Sequence, residues 1–335
     1  MTTARTLLQE RLISIVKRFP GRRILVVGDA IADQFVYGAI SRVSREAPVF
    51  ILRHEQTETV PGGAANCAMN LVSLGAHVAL IGVVGEDAAG RALVESLQTA
   101  GVDCTGLLTS EELQTTTKVR ILAGQLHSTR QQVIRLDYEG APLNSEFHEQ
   151  LRKHVLDEVH TSDAVIISDY NYGVASEDVA QVVKDAATSK GIPVLVDSRF
   201  RLSEFEGFTS ATPNEDEVEQ LLGKQLGDVS ALESAGEEML ERLGYRALLI
   251  TRGSHGMMLF QDAVAPVHID AVGAREPVDV TGAGDTVIAT YTLALASHAS
   301  FPDAARLANY AGGLVVMKRG TASVTGEELV ESLFR

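Results

Sequence analysis

Apolar residues fall in short runs, Ile24–Val27, Val78–Val84, Ala164–Ile167, Val194–Val196 and Ala247–Ile250, and each run is followed by a stretch with helical spacing. Runs of this length suit strands buried on both faces. Their alternation with helices predicts an α/β fold with a mostly parallel central sheet between two helical layers, and ligands of such sheets gather at the carboxyl ends of the strands. Four segments break that rhythm: Phe35–Tyr37, Val49–Glu55, Thr116–Leu122 and Gln131–Tyr138 tend to alternate apolar and polar residues. They read as antiparallel strands exposed on one face, drawn from about residues 34–58 and 115–139, forming a small sheet that projects as a lid, as a dimer interface, or as both. Met257–Phe260 and Val264–Ile269 read as a hairpin extending the main sheet near its C-terminal edge. Leu7, Leu8, Leu12, Ile15 and Val16 give Thr6–Phe19 an amphipathic helical pattern, interrupted by charges in a way no signal peptide is. No apolar run reaches the roughly 18 residues of a membrane span, so a cytoplasmic location is expected. No repeat or linker divides the chain, and residues 1–335 are expected to form one domain.

Composition narrows the partners. Among 335 residues, 44 Asp and Glu oppose 29 Lys and Arg, a formal charge of −15. Such a surface argues against general affinity for nucleic acid or an anionic membrane, and any anionic ligand would need local cations. Cys67 and Cys104 lack redox or zinc spacing, and the nine histidines show no paired ligand spacing.

The strongest chemical signal is Asp279-Val280-Thr281-Gly282-Ala283-Gly284-Asp285, directly before an apolar helical stripe over Thr286–Ser297. Glycines let backbone amides approach a ligand, and a helix start leaves N–H groups free for anionic charge, so Gly282, Ala283 and Gly284 form a candidate anion hole with the Asp285 carboxylate beside it. Phosphoryl transfer needs both parts: donors for the migrating phosphate and a base for the attacking hydroxyl. Taken alone, the same residues equally describe a tight turn with Asp285 as a helix cap. Pro61-Gly62-Gly63-Ala64-Ala65-Asn66 opens another helix, with paired glycines and an amide that both donates and accepts. Thr212-Pro213-Asn214-Glu215-Asp216-Glu217 offers hard oxygen ligands or, in isolation, an acidic helix start.

Together these segments resemble the PfkB or ribokinase family of carbohydrate kinases along almost the whole chain. The resemblance implies a ribokinase-like three-layer fold with a β-sheet lid, ATP as phosphoryl donor and Asp285 as general base. It implies that Asp33, with Asp29 as second candidate, joins Gly62, Gly63, Asn66 and Asp169 in orienting the sugar. It places Asn214 and Glu217 near Mg²⁺ and its waters, and Asn214, Thr251, Gly253, Gly256, Thr281 and Asn309 near ATP; dependence on a monovalent cation stays open.

Within the family, Tyr37–Val49, Thr117–Arg120 and Gln131–Asp137 resemble the heptose-7-phosphate kinases of lipopolysaccharide precursor synthesis. This implies D-glycero-β-D-manno-heptose 7-phosphate as acceptor at O1, its phosphate held by Lys118 and Arg120 with Arg42 and Arg135 nearby. Guanidinium forks and an ammonium suit that task. Two positions depart from the pattern: Tyr172 stands where a lysine is usual in Ser168–Gly173, and Arg199 stands where a D-P-K triplet has lysine. They leave another sugar or sugar phosphate as the alternative acceptor. A non-catalytic sugar or nucleotide sensor is the reading from another class, separated by ADP formation; a dehydrogenase is disfavoured because no G-x-G-x-x-G follows the first strand. A homodimer through the lid strands is expected. Bifunctional relatives continue into a nucleotidyltransferase domain, whereas this chain stops at Arg335, so nucleotidylation is expected from a separate polypeptide.

Overall fold

The computed structural model describes residues 2–124, 130–273 and 277–334; of the expected lid range 115–139, residues 125–129 lie outside the described residues. From the N-terminus, α1 (Thr2–Val16) precedes β1 (Arg23–Gly28), which leads into two long strands, β2 (Ala30–Val43) and β3 (Phe50–Gly63). Next, α2 (Ala64–Ser73), β4 (His77–Gly85), α3 (Ala88–Ala100) and β5 (Leu107–Ser110) lead to β6 (Thr117–Gly124) and β7 (Gln131–Tyr138). The chain then alternates through α4 (Ser145–Val159), β8 (Ala164–Asp169), α5 (Glu177–Lys190), β9 (Val194–Ser198), β10 (Ser210–Ala211), α6 (Glu215–Leu222), α7 (Val229–Leu243) and β11 (Ala247–Thr251). It closes with β12 (Met257–Gln261), β13 (Val264–Ile269), α8 (Ala283–Ala296), α9 (Phe301–Val315) and α10 (Gly326–Ser332).

The main sheet has nine strands in the order β13-β12-β11-β10-β9-β8-β1-β4-β5. Pairing is parallel from β11 through to β5, and only the expected hairpin of β12 and β13 is antiparallel. Alternate residues of the central strands feed two separate cores. Ile24, Val26, Ile166, Leu195 and Leu249 face α1, α2, α8 and α9, while Leu25, Val27, Val165, Ile167, Val196 and Leu248 face α4, α5 and α7. This two-sided burial is why those strands read as unbroken apolar runs. Phe19, expected within the first helix, follows α1 and is fully buried in the first of these cores.

A second sheet of four strands runs β3-β2-β6-β7. The expectation of purely antiparallel pairing needs correction: β3 and β7 pair antiparallel with their neighbours, but β2 and β6 pair parallel. Both central strands leave the main body in the same direction, β2 after β1 and β6 after β5, so where the two antiparallel pairs meet their strands run alike. β2 and β3 also reach further inward than their alternation suggests, because Ala30–Asp33 and Pro61–Gly63 are buried and carry no polar-out signal. The carboxyl ends of β1, β8, β9, β10 and β11 all open toward this smaller sheet, and the cleft between the two holds the candidate site.

Candidate active site

The turn before α8 builds the anion-binding end of the cleft. Gly282 caps the helix at φ 77°, and a Cβ there would stand 2.6 Å from the Asn66 amide nitrogen, so glycine is demanded by both backbone and packing. Ala283, expected in the anion hole, instead donates its N–H to Val280 across the turn, and Thr286 donates to Gly282; the N–H groups of Gly282, Gly284 and Asp285 are the ones without an acceptor among the described residues. A Cβ on Gly284 would have no atom within 4 Å, so the space above those donors is open. Free N–H groups at a helix start facing open space suit phosphate oxygens.

Asp285, at the third residue of α8, is buried. Its Oδ2 accepts from the Asn66 amide at 2.6 Å and its Oδ1 from the Tyr170 hydroxyl at 3.1 Å. Burial pushes its carboxyl up to about 6, against the pull of those two hydrogen bonds; the neighbouring Asp33 raises it further and Lys118 lowers it. A carboxyl poised near neutrality is suited to general-base work. Asn70, on the next turn of α2, donates to Asn66 Oδ1 at 3.2 Å and accepts from the Thr286 hydroxyl at 2.8 Å, tying α2 to α8.

A cavity of about 610 Å³ spreads from Asp285 toward the lid. Asp33, Gly63, Asn66, Lys118, Arg120, Asp169, Asn214, Glu217, Thr251, Thr281, Gly282 and Gly284 line it, so the structure brings most of the expected site residues together. Asp33 on β2 pairs with Arg120 on β6 at 2.5 Å. Gly62 lies just outside the lining, but a Cβ on it would come within 2.6 Å of Asp33 Oδ2, so its lack of a side chain makes room for that carboxylate. Lys118 lies 5.1 Å from the ring centroid of Tyr170 and 5.9 Å from that of Tyr172, with no carboxylate at ion-pair distance among the described residues. Burial lowers its pKa, partly offset by Asp33. Arg135 and Arg199 add charge to the wall, whereas Arg42 is exposed at the far end of β2 and does not line the cavity.

Asp169 reaches the wall, but its carboxylate is already engaged: Oδ2 accepts from Ser198 at 2.7 Å, and Oδ1 from Arg201 at 2.6 Å. Asn214 and Glu217 form a capping box at the start of α6, the Asn214 Oδ1 accepting from the Glu217 N–H and the Glu217 Oε2 from the Asn214 N–H. Both residues line the cavity, and the amide N–H₂ of Asn214 and Oε1 of Glu217 have no hydrogen-bond partner among the described residues. Burial raises the Glu217 carboxyl. Nearby Asp197 is held well above the usual carboxylate range by burial and by Glu217, Asp285 and Asp169.

A second cavity of about 220 Å³ shares Thr251, Val280 and Gly284 with the first. Gly253, Gly256, Ala283 and Asn309 line it, together with Met257, Val272, Val287 and Val316. Its largely apolar walls suit a flat ring. Asn309 donates to the Asp270 carbonyl at 2.8 Å.

Sequence reasoning passed over Tyr170, Asn70, Asp197 and Thr212. Tyr170 adjoined an expected residue, Asp169, yet nothing in the local pattern shows that its hydroxyl reaches a side chain 115 positions away. Thr212 and Thr321 hold buried hydroxyls in the cavity wall that have no partner among the described residues.

Comparison with known proteins places the chain among relatives of one kind. The model of the pfkB family carbohydrate kinases matches residues 22–327. The bifunctional protein HldE of Ectopseudomonas mendocina (strain ymp) is 41% identical over 319 residues, covering 95% of this chain and 65% of that protein. The protein of the same name from Pseudomonas aeruginosa (strain LESB58) is 40% identical over 319 residues, covering 95% of this chain and again 65% of the relative. The chain thus spans just under two thirds of the length of these curated relatives. Among solved structures, Arabidopsis thaliana ribokinase complexed with ribose and ATP superposes with a TM-score of 0.73 at 23% identity, covering 94% of this chain and 99% of that one. Escherichia coli phosphofructokinase-2 in complex with substrates and products gives 0.77 at 21% identity, covering 93% and 98%. At that level of identity the two structures bear on the fold.

Proposed function

The chain belongs to the pfkB family of ATP-dependent carbohydrate kinases, and from that premise we propose that it phosphorylates O1 of D-glycero-β-D-manno-heptose 7-phosphate, with Asp285 as general base. The observation that carries the reading is the buried Asp285 carboxyl, poised at about 6 next to the unpaired N–H groups of Gly282 and Gly284, in a cavity that Lys118, Arg135 and Arg199 also line. Base, anion hole and cations for an acceptor that already bears a phosphate all open into one space. The 41% identity to bifunctional HldE supports a phosphorylated heptose over other acceptors.

In this mechanism Asp285 takes the proton of the O1 hydroxyl as that oxygen attacks the γ-phosphorus of ATP. The bond from that phosphorus to the β–γ bridging oxygen breaks, ADP leaves, and the N–H groups of Gly282, Gly284 and Asp285 donate to the oxygens of the migrating group. Asn66 holds the base, Asp33 and Gly63 meet sugar hydroxyls once Arg120 swings from Asp33 to the acceptor phosphate, and Lys118 meets that phosphate directly. Asp169 acts as scaffold rather than sugar ligand, because its side chain is wholly buried with Ser198 and Arg201 each holding one oxygen. The apolar cavity at Gly253, Gly256 and Asn309 takes the adenine, with Thr251 and Thr281 along the phosphate path.

Among the described residues no cluster of three or more His, Cys, Asp or Glu side chains is arranged to hold a metal ion. That fits Mg²⁺ arriving on ATP and keeping its waters, which Glu217 Oε1 would hold by hydrogen bonds. Asn214, with one lone pair of its oxygen taken by the cap, would meet a phosphate oxygen through its N–H₂. Mg²⁺ would neutralise charge on the β- and γ-phosphates. Two copies would pair through their lids, which expose Val43 at the far end of β2, Phe50 on β3, and Val133, Ile134 and Leu136 on β7. No helix among the described residues is long and apolar enough to cross a membrane; a cytoplasmic enzyme is our reading.

A panel of acceptors with Mg·ATP, read by ADP release, tests the assignment. Turnover of the heptose 7-phosphate well above that of hexose and pentose phosphates is expected. Efficient turnover of an unphosphorylated sugar with none of the heptose phosphate would overturn it.

A further inference from the structure

The carboxylate of Asp285 meets two protein donors of different kinds. An ionised carboxylate only accepts, so Asn66 must turn its N–H₂ toward it, and the Asn66 oxygen is left to accept from Asn70. That side is locked between two helices. The other oxygen meets, among the described residues, the Tyr170 hydroxyl alone.

Considerable structure goes into delivering that hydroxyl. Asp29, 2% exposed and just beyond β1, accepts the backbone N–H groups of Tyr170, Tyr172 and Val174 at 2.8, 3.1 and 3.2 Å. One residue before Tyr170, the carboxylate of Asp169 is pinned by Ser198 and Arg201. Burying two carboxylates is costly unless their hydrogen bonds are satisfied, and here the bonds satisfying both fix one short loop, residues 169–174. The loop's one side-chain contact with the base is the Tyr170 phenol, whose ring is faced by the Lys118 ammonium.

We propose that Tyr170 is a positioning residue for the base: its hydroxyl, delivered by a loop that Asp29 and Asp169 staple, aims Oδ1 of Asp285 at the acceptor hydroxyl and favours the ionised carboxylate. The proposal rests on Asp285 being the base. With one donor at each oxygen the carboxylate cannot turn about its Cβ–Cγ bond, and each oxygen keeps a lone pair for the acceptor. When Asp285 is protonated the phenol can rotate to accept, whereas the Asn66 amide, its oxygen committed to Asn70, cannot. Other titratable groups around Asp285 are Asp33 on β2, Cys67 on α2, Lys118 on β6 and Asp197 on β9. Tyr170→Phe leaves all of them in place.

The test follows the Asp285 carboxyl by carbon-13 NMR across pH in the ligand-free full chain, its signal assigned by its loss in Asp285→Asn. Alongside, kcat and KM are measured against pH with Mg·ATP and the heptose 7-phosphate. Losing one hydrogen bond to a charged acceptor in Tyr170→Phe should raise the midpoint by about one pH unit, move the acid limb of kcat the same way, and lower kcat about tenfold near pH 6.5 with KM for ATP unmoved. Placing 3-fluorotyrosine at position 170, a stronger donor that keeps the packing, should move the midpoint downward. A midpoint unchanged in both variants would overturn the proposal, even if turnover fell, because the hydroxyl would then be acting on substrate or on packing. The underlying base assignment fails separately, by full turnover in Asp285→Asn.

Discussion

Ionising Asp285 at neutral pH works against the fold. Its carboxyl sits at about 6 in the folded chain because of burial, against roughly 3.9 in an unfolded one. The folded state therefore holds this proton more tightly; the stability it contributes is complete below about pH 4 and is lost as pH rises through 6. Asp285→Asn should thus unfold at higher urea than the parent at pH 8, by up to about 3 kcal/mol, and the gap should close near pH 4. The same variant should lose about 10²- to 10⁴-fold in kcat. Stability against activity, with a pH-dependent gap, separates a strained catalytic group from a simple helix cap, whose loss would destabilise. Arg201 is the opposite case. Its guanidinium neutralises Asp169, whose side chain is wholly buried. Arg201→Met should cost about 3–5 kcal/mol by urea unfolding, and adding Asp169→Asn should restore part of it, since the penalty lies in the unpaired charge.

At the scale of elements, the lid is the informative part. β2 spans Ala30–Val43 and serves two surfaces: its inner half lies in the core and carries Asp33 into the cavity, while its outer end is exposed. β7 is exposed along its whole length. Such strands leave unpaired edges and apolar side chains in water, which a second copy would cover. If the lids pair, Phe50→Asp with Ile134→Asp should shift the chain from dimer to monomer in sedimentation equilibrium while leaving its melting temperature within a few degrees. A monomeric parent would remove the premise. Alternation announced these strands, although β7, expected to be exposed on one face, is exposed on both; the buried halves and the parallel junction of β2 with β6 gave no local sign, since parallel pairing depends on where two distant segments leave the body.

For the whole molecule, a net charge of −15 coexists with a cavity carrying Lys118, Arg120, Arg135 and Arg199. The Debye length is about 8 Å at physiological salt and about 3 Å at 1 M, so the lid cations govern a bound phosphate locally while the acidic surface acts weakly from afar. Raising the ionic strength from about 0.05 to about 0.5 M should therefore raise KM for the phosphorylated acceptor several-fold, as contacts at the mouth of the cavity are screened. The melting temperature should hold or rise, because self-repulsion of the acidic surface is screened as well. A KM indifferent to salt would place the acceptor phosphate away from these cations.

Local pattern by itself determined the layered α/β architecture, the exceptional nature of the lid segments, and the glycine turn leading to Asp285. These features are written in residues close together in sequence: apolar period, turn chemistry and a helix start act over a few positions, and their physics is local. Tertiary structure alone decided how charges and hydrogen bonds are shared out. It decided that Asp169 is paired with Arg201 while Lys118 has no carboxylate at ion-pair distance among the described residues, that the Asn214 oxygen caps a helix, and that Tyr170 and Asn66 hold the two oxygens of one aspartate. Whether a polar group is satisfied depends on what stands within about 3 Å of it, and in this fold that neighbour can be 219 positions away along the chain.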